Sequence, residues 1–397
     1  MRLLIIICLL ALELFGNPYT VIIDAGSTGT RANIFSSTKK VKLKAYCKDT
    51  GVGGIQKLAD DYRSDYYLKP TLDCMKAKLF ELGAKNPEQV PVGLMATGGL
   101  RLLSQENQDH VLALVVSYFQ IMGFPKIKFE VLSGEKEGLF AWITVNYLAK
   151  TLGKPLGKTI GVLDMGGATT QIAFAPYEKP KEHGMEFEFA GIKYDLYVHS
   201  YKGLGQREVS KRVATPACFQ RGLEHDLTVL RQVELGDKFH NDEPAAGNYH
   251  VCRRELAEHL FETCPTGQDC GLKDTYQPPL RGRFVAISAF AQLASHKVLN
   301  LKEFSPAALD EAGKVVCAYT WKEYQKIGND KPRFLSTACY EAAYYSALLS
   351  GRPEVDSRHD GLGFAKDSND LKALFQINDI EVSWALGAAV YWQTMNQ

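Results

Sequence analysis

Val21-Ile-Ile-Asp24-Ala-Gly26-Ser27-Thr28-Gly29-Thr30-Arg31-Ala-Asn-Ile-Phe35 is an apolar strand ending in aspartate, a turn of glycine and hydroxyl residues, and a second apolar strand. The plan returns about 140 residues later in Gly161-Val-Leu-Asp164-Met-Gly166-Gly167-Ala168-Thr169-Thr170-Gln171-Ile-Ala-Phe174. Each copy reads as a β-hairpin with glycines where the backbone bends sharply or lets another group approach closely. One Asp-x-Gly turn carries little information. Two copies on one plan predict two related domains facing each other.

Between the copies, Pro91–Ala96 reads as a buried strand that runs into Thr97-Gly98-Gly99-Leu-Arg101. The pattern predicts a helix over His110–Met122, a short strand over Lys128–Leu132, and a helix over Leu139–Ala149 opened by Ser133–Gly138. Beyond the second copy come a strand pair over Gly184–His199 and charged helical stretches within Glu208–Gln277. A strand follows at Phe284–Ile287, then helices over Ala289–Leu299, Asp310–Lys326, Thr337–Leu349 and Val382–Thr394. Strands alternating with helices give an α/β class with mixed sheets.

At 397 residues the chain has room for two packed domains. Its net charge of +1, from 46 basic and 45 acidic residues, gives no overall field for nucleic acid, so no nucleic-acid partner is expected. Residues 1–16 read as a signal peptide: Arg2, then an apolar run to Phe15, then Gly16. That run falls short of a membrane span, and no later segment is long and apolar enough to be one. Eight cysteines follow the signal, an even number that fits an exported, oxidised protein. Sequential pairing is expected: Cys47–Cys74, Cys218–Cys252, Cys264–Cys270 and Cys317–Cys339. No N-x-Ser/Thr site occurs, which fits a bacterial exporter better than a eukaryotic one. Secretion or a periplasmic location is therefore expected, and a monomer, because no exposed repeat or heptad seam appears.

Glycine-rich turns point consecutive N–H groups into one concavity and suit phosphate, so Ser27, Thr28, Gly29, Gly167 and Ala168 are candidate phosphate contacts. Arg31 offers a fork for a terminal phosphate, or is a charge at a strand edge. Asp24 and Asp164 end equivalent strands; a pair facing across a cleft suits a hard cation such as Mg²⁺ or Ca²⁺, through waters, with Mn²⁺ as the alternative. Each could instead cap its own turn. Glu137 and Glu135, both just after a glycine turn, are rival candidates for a base, and either could be ordinary first-turn acid. Thr169 and Gln171 could hold a water or satisfy their own hairpin.

Five segments resemble the signature regions of the nucleoside triphosphate diphosphohydrolases, the apyrases. They are Asp24–Arg31, Ala96–Arg101, Leu132–Trp142, Leu163–Gln171 and Val382–Leu386. The resemblance covers nearly the whole mature chain. It implies an actin-like pair of ribonuclease-H-type domains with the active site in the cleft between them. It also implies Glu137 as the base, Thr169 and Gln171 as the residues orienting the attacking water, and Asp24 and Asp164 as holders of a hydrated divalent metal. Thr97 and Gly98 join the phosphate contacts, and Trp384 marks the segment beside the metal. Where relatives clamp the base, this sequence has Gln292 and Phe334, a departure that leaves nucleotide preference open.

The expected division is residues 17–138 with 381–397 as one domain and 139–380 as the other, the second carrying helical, disulfide-bearing insertions. The expected activity is metal-dependent hydrolysis of nucleoside tri- and diphosphates by in-line attack of water. Two other readings use the same turns: an actin-fold kinase, which needs a second acceptor site, and an ATP-gated chaperone-like module, which needs a peptide-binding segment.

Overall fold

The computed structural model describes residues 18–36, 40–48, 53–235, 239, 244–260, 269, 271–272, 275–328, 331–352, 361–365 and 370–395. The expected signal peptide and the expected Cys264–Cys270 pair lie outside them.

The two hairpins seed two sheets of one design. β1 (Tyr19–Ala25) and β2 (Thr30–Ser36) pair antiparallel, with β3 (Lys42–Cys47) antiparallel on β2. β4 (Val92–Ala96) and β5 (Ile127–Val131) add in parallel, giving the order β3-β2-β1-β4-β5. In the second sheet, β6 (Gly161–Met165) and β7 (Thr169–Phe174) form the hairpin. β9 (Ile192–Lys202) pairs with β7, and β8 (Gly184–Phe189) pairs with β9. β10 (Phe284–Ser288) and β11 (Leu371–Ala373) extend the other side in parallel, for an order of β11-β10-β6-β7-β9-β8. Apart from the added β8, strand order and direction repeat.

Period-two alternation sends neighbouring residues of one strand into different cores. Val21 and Ile23 join a core with the Ser64–Glu81 and Gln105–Ile121 helices, while Ile22 enters a second core. That second core also takes Val162 and Ala173, whereas Leu163 and Ile172 face a third, helical core. The shared second core is filled by the helices Gly134–Leu148 and Trp384–Met395. These two pack so closely that a Cβ on Gly387 would collide with the Phe140 carbonyl. Thr144 staples them: its hydroxyl donates to the Ser383 carbonyl and accepts from Gly387 N–H, both at 2.8 Å.

Gly387→Ala must therefore push two backbones apart, at a cost of about 1–3 kcal/mol for an overpacked contact. We expect the melting temperature to fall by several degrees. Thermal unfolding checks this, and an unchanged midpoint would mean the helices separate freely.

Three cysteine pairs follow the expected sequential pattern: Cys47–Cys74, Cys218–Cys252 and Cys317–Cys339. Helix boundaries depart from expectation in several places. The Gly134–Leu148 helix starts five residues early, because Ser133 caps it by accepting from Lys136 N–H, and it runs unbroken through position 138. The single helix expected over Asp310–Lys326 is two, Pro306–Ala318 and Trp321–Ile327. Thr320 and Glu323 form a reciprocal capping box that starts the second helix and ends any continuation of the first. The helix expected over Ala289–Leu299 stops at Ala294. No helix among the described residues is long and apolar enough to cross a membrane.

Candidate active site

The two aspartate turns have one geometry. Gly26 N–H donates to the Gly29 carbonyl at 2.9 Å, and Gly166 N–H donates to the Thr169 carbonyl at 3.0 Å. Register places Arg31 opposite Asp24 and Gln171 opposite Asp164. The turns face each other at contact distance: a Cβ on Gly167 would lie 2.7 Å from Ser27 Oγ and 3.2 Å from Thr28 Cγ2. A side chain at position 167 would have to displace the Ser27 hydroxyl.

Between them lies a chamber of about 310 Å³. On its wall are Asp24, Ser27, Thr28, Arg31, Thr97, Gly98, Glu137, Asp164, Gly167, Ala168, Thr169 and Trp384. Residues far apart in sequence thus converge on one cavity. Gly29 is buried behind its turn, with its carbonyl engaged by Gly26, and Gln171 lies fully buried behind Thr169. A wider chamber of about 780 Å³ adjoins the first, shares Thr28, Arg31, Gln206 and Gln292 with it, and carries Phe334. Glu135, the rival of Glu137, is on neither wall.

Glu137 is 7% exposed and sits in a polar network. Its Oε2 accepts from Arg101 Nη2 at 2.8 Å and from Gln171 Nε2 at 3.2 Å. Arg101 Nη2 is also 3.1 Å from Thr169 Oγ1, and its Nη1 donates to the Leu132 carbonyl at 2.6 Å. Gln171 Nε2 further approaches Thr169 Oγ1 at 2.7 Å and Ser200 Oγ at 3.1 Å. Burial raises the Glu137 pKa, while the Arg101 charge and hydrogen bond pull it back.

Asp164 is pushed up to about 7. Burial is the main cause, the Glu137 and Asp24 charges add to it, and a hydrogen bond with Ser288 opposes it. Asp24 lies 3.8 Å from Arg31 Nη1. Among the described residues no cluster of three or more His, Cys, Asp or Glu forms a metal cage. Asp24 and Asp164 nonetheless offer hard oxygen donors on one wall, in repulsion that a cation would relieve. That donor set fits a divalent ion retaining most of its waters.

Sequence reading gave no role to Arg101, Ser200, Ser288 or Gln206. Arg101 was in view as the close of its glycine motif, and the one cation there. The position of Ser288 depends on a left-handed backbone, φ 59°, which nothing in the sequence signals.

Comparison with known proteins agrees with this architecture. The chain is 29% identical to ectonucleoside triphosphate diphosphohydrolase 1 of Mus musculus, over 93% of this chain and 79% of the relative. It is 29% identical to probable apyrase 6 of Arabidopsis thaliana, over 94% and 72% respectively. Among solved structures it resembles nucleoside triphosphate hydrolases from Neospora caninum, with a TM-score of 0.62, 14% identity, and coverage of 96% of this chain and 95% of that one. It also resembles the Aquifex aeolicus member of the Ppx/GppA family, with a TM-score of 0.53, 13% identity, and coverage of 96% and 99%. These likenesses establish the actin-like, two-domain α/β fold. With a family model matching residues 15–397, the chain belongs to the GDA1/CD39 (nucleoside phosphatase) family.

Proposed function

We propose that this protein hydrolyses the terminal phosphate of nucleoside tri- and diphosphates, with Glu137 as the base that deprotonates an attacking water. The observation that carries this reading is the network in which Arg101 and Gln171, behind the wall, hold Glu137 and Thr169 in the wall of a chamber bounded by two phosphate-type turns.

Both donors to Glu137 reach Oε2, which leaves Oε1 to take a proton from water. Thr169 Oγ1 accepts from Arg101 and Gln171, so its own proton is left to orient the same water. The amides and hydroxyls of Ser27, Thr28, Thr97, Gly98, Gly167 and Ala168 hold the phosphates and meet the charge that develops on them. Gly29 sets the turn, and Arg31 adds a cation at the mouth. Asp24 and Asp164 would hold a hydrated Mg²⁺ or Ca²⁺, with Mn²⁺ as the alternative. A bound divalent ion neutralises phosphate charge. Phe334, in the wider chamber, offers a face for the nucleobase, and Gln292 a polar edge.

In this reading residues 17–138 with 381–397 form one half and 139–380 the other, and cleft closure shields the chemistry from bulk water. Export belongs to the reading as well, supported by disulfides of a kind that persist in oxidising compartments.

The test is phosphate release by the oxidised, purified protein from ATP, GTP, UTP and their diphosphates, with Mg²⁺, Ca²⁺, Mn²⁺ or EDTA. Release should fall to a few per cent or less in EDTA and return on adding the ion. Asp164→Asn should raise the Mg²⁺ concentration giving half-maximal rate by about tenfold. Rates indifferent to EDTA would remove the metal from the mechanism, and absence of release from every nucleotide would sink the proposal.

A further inference from the structure

Glu341 is a buried carboxylate that the proposed mechanism does not use. It lies on the Ala338–Ser350 helix, is 6% exposed, and lines the wider chamber. Thr337 Oγ1 and Gln206 Nε2 both donate to its Oε1 at 2.7 Å. No cation among the described residues pairs with it, and burial pushes its carboxyl up to about 7 against those two hydrogen bonds. An unpaired buried carboxylate is costly to keep. If it served only to fix Gln206 and Thr337, an uncharged acceptor would suffice.

Four further facts say what it faces. Both intramolecular bonds end on Oε1, so Oε2 retains its acceptor capacity. Gln206, its immediate partner, is on the wall of both chambers, which puts Glu341 one hydrogen bond beyond the phosphate site. One helical turn further on, Tyr345 lines the same chamber with a hydroxyl that is buried and has no hydrogen-bond partner among the described residues. Phe334, the proposed base platform, lines the same chamber and precedes Thr337 by three residues. Glu341 thus shares one chamber with the proposed base platform and reaches the phosphate chamber through Gln206, the place a sugar takes between base and phosphate.

Resting on the nucleotide reading above, we propose that Glu341 reads the sugar. Its Oε2 accepts a hydrogen bond from a ribose hydroxyl, so that the protein selects ribonucleotides over 2′- or 3′-deoxyribonucleotides. A hydrogen bond to a charged group that is lost in the deoxy analogue leaves the carboxylate unpaired, which is the situation in which hydroxyl selection is strong.

The experiment compares kcat/KM for ATP, 2′-deoxy-ATP and 3′-deoxy-ATP in the wild type, Glu341→Ala and Glu341→Gln. Displacement of a fluorescent ATP analogue by the same three nucleotides is measured alongside, in Mg²⁺. In the wild type, ATP should exceed at least one deoxy analogue by about tenfold or more. Glu341→Ala should compress that ratio to within about twofold. Glu341→Gln keeps the volume and the two existing hydrogen bonds but offers N–H₂ in place of Oε2, and should lower the ratio several-fold. If the alanine variant does not fold, the glutamine variant and the wild-type ratio carry the test.

Turnover of ATP with equal rates on all three nucleotides, or a ratio that survives in the variants, overturns the sugar assignment alone. A ribose preference in binding, erased in the variants but with no phosphate released, supports it while the hydrolase reading falls. Absence of both binding and turnover overturns both.

Discussion

Glu137→Gln should lower kcat for ATP by about a thousandfold or more while KM changes by less than about threefold. The amide keeps the size of the side chain and can still accept from Arg101, so the chamber keeps its shape. What is lost is the ability to take a proton, and general-base catalysis contributes roughly 10²–10⁴ in rate. The loss therefore falls on kcat and kcat/KM together, the signature of an interaction made in the transition state. Because burial raises the Glu137 pKa, the wild-type rate should fall on acidification at a higher pH than an ordinary glutamate would give. The carboxylate must be ionised to act, so activity is present above its pKa and lost below it. Steady-state kinetics across pH check both points. A variant that retains a tenth of the wild-type kcat would end the assignment of Glu137 as base.

Arg101→Met should be the most damaging change to stability in the site. Arg101 is the cation that offsets the burial of Glu137, with a side chain 15% exposed against 9% for its partner. Removing one member of a buried ion pair costs about 3–5 kcal/mol, because the other charge stays buried without compensation. The sign of the pH dependence follows. Without Arg101, the folded-state pKa of Glu137 rises further above its unfolded value. Stability is then retained below the unfolded pKa, where the carboxyl is neutral in both states. It is lost as pH rises through the folded value. The gap between variant and wild type should widen from about pH 5 to pH 8, and the acidic limb of the activity profile should move upward. Urea unfolding at the two pH values measures the first effect and a pH–rate profile the second. A gap independent of pH would mean that packing, not charge, accounts for the loss.

Legibility from sequence followed physical range. The hairpins could be read because period-two apolar runs, terminal aspartates and glycine turns are local, and their duplication is visible without a structure. Candidate residues on those turns converged on one cavity for the same reason. The break at Thr320 was equally local, since Thr320 and Glu323 have capping-box spacing, but the apolar periodicity on either side obscured it. The Ser64–Glu81 helix escaped because Pro70 lies inside it. Its face of Tyr67, Leu68, Leu72, Met75 and Leu79 is stabilised by packing that no local signal reports. Arg101, Ser200 and Gln206 were harder still. Their partners are 36, 29 and 135 positions away, and only the folded sheets bring them together.

The matched register of the two hairpins has a consequence for symmetry. Asp24 and Asp164 occupy one position in a repeated design, yet the residue across the ladder is arginine in one half and glutamine in the other. Two identical halves would carry the same neighbour twice. With arginine in both, a second cation would stand where Gln171 now donates to Glu137 and Thr169, on the side where Arg101 already supplies one. With glutamine in both, the mouth of the chamber would lose the charge of Arg31. Under the proposed mechanism, a symmetric dimer of single halves could not have both arrangements at once. A single chain carrying both copies lets this position differ between them, so that the two sides of the cleft can take separate tasks.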